Sequence, residues 1–336
     1  MAKQTITVFG ATGKQGGSIV KSILEDPKAS SQFQVRAVTR DASKDSAKSL
    51  ASLGAEVVTA DFNDKDSLHA AIKGSWGVFS VTNFWEVFSA DAEEAQGKAV
   101  ADVSKAEGVK FLIWSSLFDV NKLSNGVLPG VYHFDGKARV EEYIRGLGIP
   151  AAYFHAGFFM SNLPGQFFRD NGDGNWALAL PAPADAPIPF FDAEADTGKF
   201  VKAMFLNHEK VSGKRIYGAT NYTTPTEIID QFKEIFPNTG KKTVFAQLPA
   251  DVFKGIMAGT GAPEPIQEAM VQNFRLLKEF GYFGNDKLDY SLSVCTCTFV
   301  SPFIDHSLTM APKLLTEEPT TWKEFAKRQP VFAGLN

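Results

Sequence analysis

The segment Gly10-Ala11-Thr12-Gly13-Lys14-Gln15-Gly16-Gly17 limits what this chain can fold into more than any other stretch. It closes an apolar run over residues 5–10, which contains Ile6, Val8 and Phe9, and it opens a helical pattern over 16–24. The G-x-x-G-x-x-G spacing has a mechanical reading. Gly10 permits a sharp turn, Gly13 lets the backbone approach a pyrophosphate with no Cβ between, and Gly16 permits close packing of helix on strand. The helix N-terminus then offers free N–H groups and partial positive charge to the phosphates. Three glycines alone are a weak signal. Their place in the first strand–helix turn of a βαβ unit gives them meaning, and the expectation is a dinucleotide site.

The rest of the first half repeats the alternation. Strands are expected at 34–40, 55–61, 76–82, 110–117 and 151–155, with helices at 43–53, 67–73, 91–107 and 135–147 between them. Near-continuous apolar strands separated by helices imply a parallel sheet covered on both faces. Right-handed crossovers then make a doubly wound α/β sheet of the Rossmann type. After Gly157 the pattern changes. Residues 158–190 carry Pro164, Pro181, Pro183, Pro187 and Pro189 and a polar turn at 171–175, and are expected to be loop-rich. Helices are expected at 192–206, 226–236, 250–258 and 266–280, and a last one opens at Thr320-Thr321-Trp322. The expected organisation is a dinucleotide-binding domain over 1–157 to which 192–220 returns. A smaller C-terminal α/β lobe, for substrate or partner, takes 158–191 and 221–336. Residues 294–312 have neither helical period nor alternation. They read as an insertion, either a lineage-specific loop or a translated intron, and a contiguous transcript would exclude the second.

A chain of 336 residues is long enough for this plan. Its net charge of −4 and lack of a DNA-binding motif argue against direct nucleic-acid contact. No apolar run reaches the length of a membrane span, and Met1-Ala2-Lys3-Gln4 leads straight into a strand pattern, so no secretory signal is expected. Cys295 and Cys297 are too close for an ordinary bridge, with no Cys/His cluster around them to suggest a metal. A cytoplasmic location, extending to the nucleus, is the default expectation.

The second strand indicates which dinucleotide. It ends in Val38-Thr39-Arg40, with Lys44 four residues on. An acidic residue at that place would hold a ribose 2′-hydroxyl, whereas Arg accommodates a 2′-phosphate. The guanidinium can grip it bidentately and Lys44 adds charge, which points to NADP(H). After the third strand, Asp61 is placed to accept from the adenine amine and Phe62 to cover the ring. A plain strand-end turn explains the pair equally well.

Short-chain dehydrogenases need a Tyr to handle the substrate proton, a Lys four residues later and a Ser on the preceding strand. Here the helix reads Tyr132-His133-Phe134-Asp135-Gly136-Lys137. Lys137 is present, but His133 stands four before it. Tyr132 is five before, about 100° round the helix, and points elsewhere. Ser115 and Ser116 end the fifth strand. An ordinary His pKa of about 6.5 would let His133 trade protons.

The glycine segment, Val38-Thr39-Arg40, Thr82-Asn83-Phe84-Trp85-Glu86, Gln96-Gly97-Lys98 and His133-Phe134-Asp135-Gly136-Lys137 together resemble the NmrA-like family of atypical short-chain dehydrogenases. The likeness runs to about residue 290 and resumes at Pro319-Thr320-Thr321-Trp322. It implies that Gly10, Thr12, Gly13, Lys14, Gln15, Gly16, Arg40 and Lys137 contact the cofactor. It also implies that Thr82, Asn83 and Phe84 line the nicotinamide side, and that Phe158 and Asn162 close over it. Such families hold both NADP(H) or redox sensors that regulate partner proteins, and oxidoreductases. The missing Tyr favours a sensor acting on a protein partner, a device that needs two states of unequal affinity. The alternative is an NADPH-dependent reductase of a small aromatic or carbonyl substrate. There Lys137, His133 or Tyr132 would manage the proton and Ser115 or Ser116 would place the carbonyl. Phe154, Phe158, Phe159, Phe167, Phe168 and Trp176 would suit a flat apolar substrate, although such side chains more often form core.

Overall fold

The apolar runs of the first half become strands β1 (Gln4–Val8), β2 (Phe33–Thr39), β3 (Glu56–Thr59), β4 (Gly77–Ser80), β5 (Phe111–Ser116) and β6 (Ala151–Ala156). The computed structural model describes residues 2–172, 174–286, 288 and 315–336. The later strands are short: β7 (Phe158–Phe159), β8 (Phe168–Asp170), β9 (Trp176–Leu180), β10 (Ile188–Phe191), β11 (Arg215–Gly218), β12 (Asn221–Thr223) and β13 (Val244–Gln247). Seven strands form one sheet in the order β11-β6-β5-β4-β1-β2-β3, and every pairing in it is parallel. The order reverses at β1, which has β2 on one side and β4 on the other. In an open α/β sheet that reversal leaves a crevice at the carboxyl ends of the strands, where ligands bind.

Two-sided burial explains the run-like strand sequences. β4, β5 and β6 are buried at every position, and successive side chains serve opposite faces. Phe111 and Ile113 of β5 join the helices Lys14–Glu25, Asp45–Ser52 and Ala193–Leu206 through Ile19, Ile23, Leu50, Val201 and Phe205. Leu112 and Trp114 join the helices Lys65–Ile72, Ala90–Ala106 and Tyr132–Leu147 through Leu68, Val100, Val140 and Ile144. Each such side chain, fully buried, contributes about 1.5–3 kcal/mol. Helix Ala193–Leu206 lies very close to the helix of the glycine loop. A Cβ on Gly198 would sit 2.2 Å from Ser18 O, and the Gly198 N–H donates to Ser18 Oγ at 2.9 Å. The chain then adds β11 beside β6 as the sheet's edge.

The stretch 158–190 is not the loop that its prolines suggest. It contributes β7 to β10, with β10 between β7 and β12 in one three-stranded sheet and β9 between β8 and β13 in another. These strands are two to five residues long. Their partners lie far along the chain, as in Ala177 with Val244 and Pro189 with Tyr222. Segments that short show no period, so the sequence pattern could not reveal them. Behind them is a core rich in aromatic rings, where Phe168, Trp176, Phe232, Trp322 and Phe332 pack with centroids 4.6–6.4 Å apart. The segment 294–312, with Cys295 and Cys297, lies outside the described residues. No described helix is long and apolar enough to cross a membrane.

Candidate cofactor and substrate cleft

The turn after β1 is built by its glycines. Gly10 has φ +65°, and a Cβ there would meet Val81 Cγ1 at 3.0 Å. A Cβ on Gly16 would lie 2.3 Å from Gly10 O and 2.8 Å from Ala11 Cα, so any larger residue forces the helix off the strand. The helix Lys14–Glu25 begins without a side-chain cap and without an acid in its first turn. Its unpaired first-turn N–H groups are therefore open to an anion, and the helix dipole favours one. Lys14 Nζ donates to Ser161 Oγ at 2.7 Å, tying the loop to the lobe beyond Gly157. Donors held this way fit a diphosphate, and by extension a dinucleotide.

One cleft of about 1080 Å³ runs past this loop. Gly10, Thr12, Gly13, Lys14, Gln15, Gly16, Arg40, Lys44, Asp61, Phe62, Thr82, Asn83, Phe84, Ser115, His133, Lys137, Phe158 and Asn162 all line it. At the mouth, Arg40 forms a bidentate pair with Glu86, with N···O distances of 2.7 and 3.0 Å. Asn83 Nδ2 also donates to Glu86, at 3.1 Å. A 2′-phosphate arriving at Arg40 must compete with that carboxylate. The neighbouring Asp41 is held below the usual carboxylate range by hydrogen bonds from the Ser43 side chain and backbone, which turn its charge onto its own loop. Asp61 Oδ1 accepts from the backbone and side chain of Asn63, while Phe62 stacks on Phe9 at 5.5 Å.

Deeper in, Lys137 is tightly engaged. Its ammonium donates to Thr82 O at 2.9 Å, to Thr82 Oγ1 at 3.0 Å and to Glu93 Oε1. Thr82 Oγ1 in turn donates to Glu93 at 2.8 Å. An ammonium has three N–H donors, and all three are committed. The pair is buried, with the Lys137 side chain 12% and that of Glu93 0% exposed. Even so, Glu93 Oε2 is buried without a hydrogen bond among the described residues. Sequence reasoning missed Glu93, although a signal existed. Glu93, Gln96, Gly97 and Val100 fall at i, i+3, i+4 and i+7, which places the acid on the buried stripe of helix Ala90–Ala106.

His133 does not behave as an ordinary imidazole. Burial, helped by the Lys137 charge, pushes its pKa down to about 3. Its ring lies among Phe84, Trp85 and Phe134 at centroid distances of 5.8, 5.1 and 5.0 Å. Nδ1 is buried without a partner among the described residues. Burial and the Lys137 charge thus both oppose an imidazolium at His133, which runs against its trading protons near neutrality. Tyr132 is exposed and does not line the cleft. Ser115 Oγ donates to Gln15 Oε1 at 2.9 Å, and Ser116 Oγ makes longer bonds to Leu117 O and Lys137 O.

At its far end the cleft is walled by the lobe. Of the six aromatics that could face a substrate or form core, Phe158, Phe159 and Phe167 reach it, whereas Phe154, Phe168 and Trp176 belong to the cores. Four other contributors, Met257, Ile266, Met270 and Tyr282, stand on or after the helices Ala250–Gly259 and Glu264–Glu279 and carry no local sequence signal. Asn273 stands with them and was equally unforeseen.

Comparison with known proteins gives a consistent set. A family model described as the NmrA-like family matches residues 2–326. The NmrA-like family domain-containing oxidoreductase notA′ of Aspergillus versicolor is 34% identical over 257 residues, covering 70% of each chain. The corresponding oxidoreductase cpsB of Aspergillus campestris is 31% identical over 308 residues, covering 85% of this chain and 86% of its own. Among solved structures, Nmra, a negative transcriptional regulator in complex with NADP, superposes with a TM-score of 0.70 at 23% identity over 84% and 85% of the two chains. Triphenylmethane reductase of Citrobacter sp., complexed with NADP(H), gives 0.72 at 20% identity over 96% and 99%.

Proposed function

The chain belongs to the NmrA-like family, and from that premise we propose that it is an NADP(H)-dependent oxidoreductase acting on an uncharged, largely apolar substrate. The observation that carries this reading is the extent of the cleft. It continues past the glycine loop and Lys137 into a compartment walled by Phe158, Phe167, Met257, Ile266 and Met270. A volume of about 1080 Å³ exceeds the range of about 300–1,000 Å³ usual for one small-molecule ligand. The relatives at 34% and 31% identity are named oxidoreductases, and the superposable Citrobacter enzyme is a reductase complexed with NADP(H).

NADPH, when bound, supplies a hydride. The chain's own residues do the rest. The first-turn N–H groups after Gly13 bind the pyrophosphate, and Arg40 and Lys44 bind the 2′-phosphate once Arg40 leaves Glu86. Lys137 holds a fixed positive charge beside the reacting end, tethered by Thr82 and Glu93. With all three protons engaged it acts as a charge and an anchor, and gives up a proton only if one of those bonds opens. The apolar wall excludes water from the transfer.

A second reading, a cofactor or redox sensor that regulates a protein partner, draws on one observation. The residue four before Lys137 is His133, whose pKa burial lowers and whose Nδ1 is buried without a partner among the described residues, where a phenol would serve as acid. Titration of NADP+, NADPH, NAD+ and NADH into the protein, followed by NADPH consumption with aldehydes, ketones and quinones, separates the two. Preference for the phosphate-bearing forms, reduced about tenfold by Arg40→Ala, together with turnover, is the expected result. Tight binding with no turnover transfers the case to the sensor. Equal affinity for NAD+ and NADP+ removes the role given to Arg40.

A further inference from the structure

Residues 83–88 cross the rim of the cleft between two fixed points. Upstream, Thr82 is held by Lys137 and Glu93. Downstream, Ser89 caps helix Ala90–Ala106, its Oγ accepting from Ala92 N at 3.2 Å. Between them lies the short turn Phe84–Val87, closed by its own bonds. Asn83 Oδ1 accepts from Trp85 N at 3.2 Å, Asn83 O from Glu86 N at 3.2 Å, and Phe84 O from Phe88 N at 2.7 Å. Among the described residues, the two bonds from Arg40 to Glu86 are the only hydrogen bonds that tie this strap to the rest of the chain. Trp85, Val87 and Phe88 are exposed, so little burial holds them down. Phe88 has φ +48°, a left-handed conformation that a bulky residue keeps only where its surroundings impose it.

The strap touches both ends of the cofactor site. Phe84, Trp85, Glu86 and Val87 line the cleft. The rings of Phe84 and Trp85 lie 5.8 and 5.1 Å from that of His133, one turn before Lys137. At the other end, the Glu86 carboxylate occupies Nη1 and Nη2 of Arg40. A 2′-phosphate carries a charge of about −1.5 to −2 at neutral pH, and at the same guanidinium it meets that carboxylate as a like charge. The pair is exposed on both sides and yields easily. An uncharged ribose 2′-hydroxyl has no comparable means of displacing it.

We propose that residues 83–88 are a strap latched by Glu86 on Arg40 and released by the 2′-phosphate, so that NADP(H), and not NAD(H), frees the segment that carries Phe84 and Trp85 beside His133. This rests on the reading of Arg40 as the 2′-phosphate site and adds what its occupation does elsewhere in the cleft. The latched and released states differ in affinity for a phosphate-bearing nucleotide, which is what a population shift requires. The coupling is reciprocal: a ligand that holds the strap closed weakens NADP(H) binding by the factor through which NADP(H) weakens its own.

Backbone hydrogen exchange in the full chain, read by mass spectrometry on peptides spanning 83–88, tests the latch with 2′,5′-ADP and 5′-ADP as probes. The two differ only in the 2′-phosphate and carry no nicotinamide, so shielding by the ligand is common to both. At saturation, exchange in the strap is expected to be about two- to fivefold faster with 2′,5′-ADP, the upper part of what an exposed ion pair is worth. Peptides of the central strand Phe111–Ser116 should not change. In Glu86→Gln the strap should exchange fast with either probe, and the difference between them should vanish. Equal or slower exchange with 2′,5′-ADP overturns the latch, and so does a Glu86→Gln variant that keeps the difference. Titration of the same two probes reports on the underlying reading. If the chain does not prefer 2′,5′-ADP, Arg40 is not the 2′-phosphate site and both readings fall. If it does and the strap is unmoved, only the latch falls.

Discussion

One helix, Tyr132–Leu147, carries two buried charges one turn apart, and they are treated differently. Glu141, 1% exposed, is saturated. Its Oε1 accepts from Arg145 Nε and Nη2 and from Arg215 Nε, and its Oε2 pairs with His155 Nε2 at 2.9 Å. None of these four residues lines the cleft. Lys137, four residues earlier, faces Glu93, whose Oε2 has no hydrogen bond among the described residues. The first network satisfies both Glu141 oxygens and holds the helix to β6 and β11, although His155 Nδ1 within it is buried without a partner among the described residues. In the second, Lys137 lines the cleft, whereas Glu93 and its unpaired oxygen do not. A third pair, Arg40 with Glu86, is 65% and 45% exposed at the mouth. From the network away from the cleft to the half-closed pair at its edge to the surface pair at its mouth, the cost of disruption falls and the involvement with ligand rises.

Removing Glu141 is the harshest way to test that ordering. Glu141→Leu leaves Arg215 and Arg145 without their shared acceptor, and losing one partner of a buried network costs about 3–5 kcal/mol. Urea unfolding should show the loss, while surviving folded protein keeps the NADP+ affinity of the wild type. The network also predicts a pH dependence. Burial opposes the Glu141 charge, but Arg215, the His155 hydrogen bond and Arg145 outweigh it and hold the carboxyl well below 4.5. A depressed folded pKa means stability that is present above about pH 4.5 and lost as pH falls towards the folded value. That acid slope should be shallower in the variant.

Lys137→Met comes next. It strands Glu93, which is 0% exposed but can take up a proton as an arginine cannot, so the expected loss is about 2–3 kcal/mol. Adding Glu93→Gln to the same protein should recover part of it, because a neutral amide tolerates burial better than an unpaired carboxylate. Full recovery of stability without recovery of turnover would separate the lysine's packing role from its functional one. If Lys137→Met alone were neutral, the claim that this pair is tightly buried would fail.

These charges also show which parts of the site could be read without coordinates. Gly10 to Gly16 was legible because a strand, a glycine spacing and a helix are contiguous, and local order carries the chemistry. Arg40 was legible because it ends a strand of recognisable pattern. Glu86 was not, because nothing local distinguishes an acid that folds onto a distant arginine from one that faces water, and for Glu93 the buried stripe of its helix marks the burial but not the distant lysine it meets. Asn273 and Tyr282 were hidden for a related reason. They reach the cleft only through the packing of the lobe, whose short strands pair across gaps such as Ala177 to Val244. In the sheet the order of elements was readable, and in the lobe long-range pairing decided it.

His133 gives a smaller effect of definite sign. Its pKa of about 3 lies below the ordinary 6.5, so the unfolded chain binds a proton that the folded chain refuses. The residue contributes stability that is complete above about pH 6.5 and is lost as pH falls towards 3. NMR titration should find one imidazole, absent from a His133→Phe variant, that stays neutral down to about pH 4. Titration near 6.5 would restore His133 as a proton donor and weaken the contrast between the network away from the cleft and the pair at its edge.

The exposed pair should respond least and in the opposite direction. Surface ion pairs contribute about 0.2–1 kcal/mol, so Glu86→Gln should leave stability nearly unchanged. Its effect appears in binding. Arg40 is engaged by both Glu86 oxygens, and a 2′-phosphate has to displace them. Freed of that competition, the variant should bind NADP+ about 1.4- to fivefold more tightly, the equivalent of about 0.2–1 kcal/mol, with NAD+ affinity nearly unchanged because NAD+ carries no 2′-phosphate. The gain should shrink with added salt, since the competing charges are exposed and screened. Titrating both nucleotides at low and high ionic strength checks each part. Weaker NADP+ binding by Glu86→Gln would mean that Glu86 holds Arg40 in its binding pose, and the surface pair would then belong with the charges that build the site.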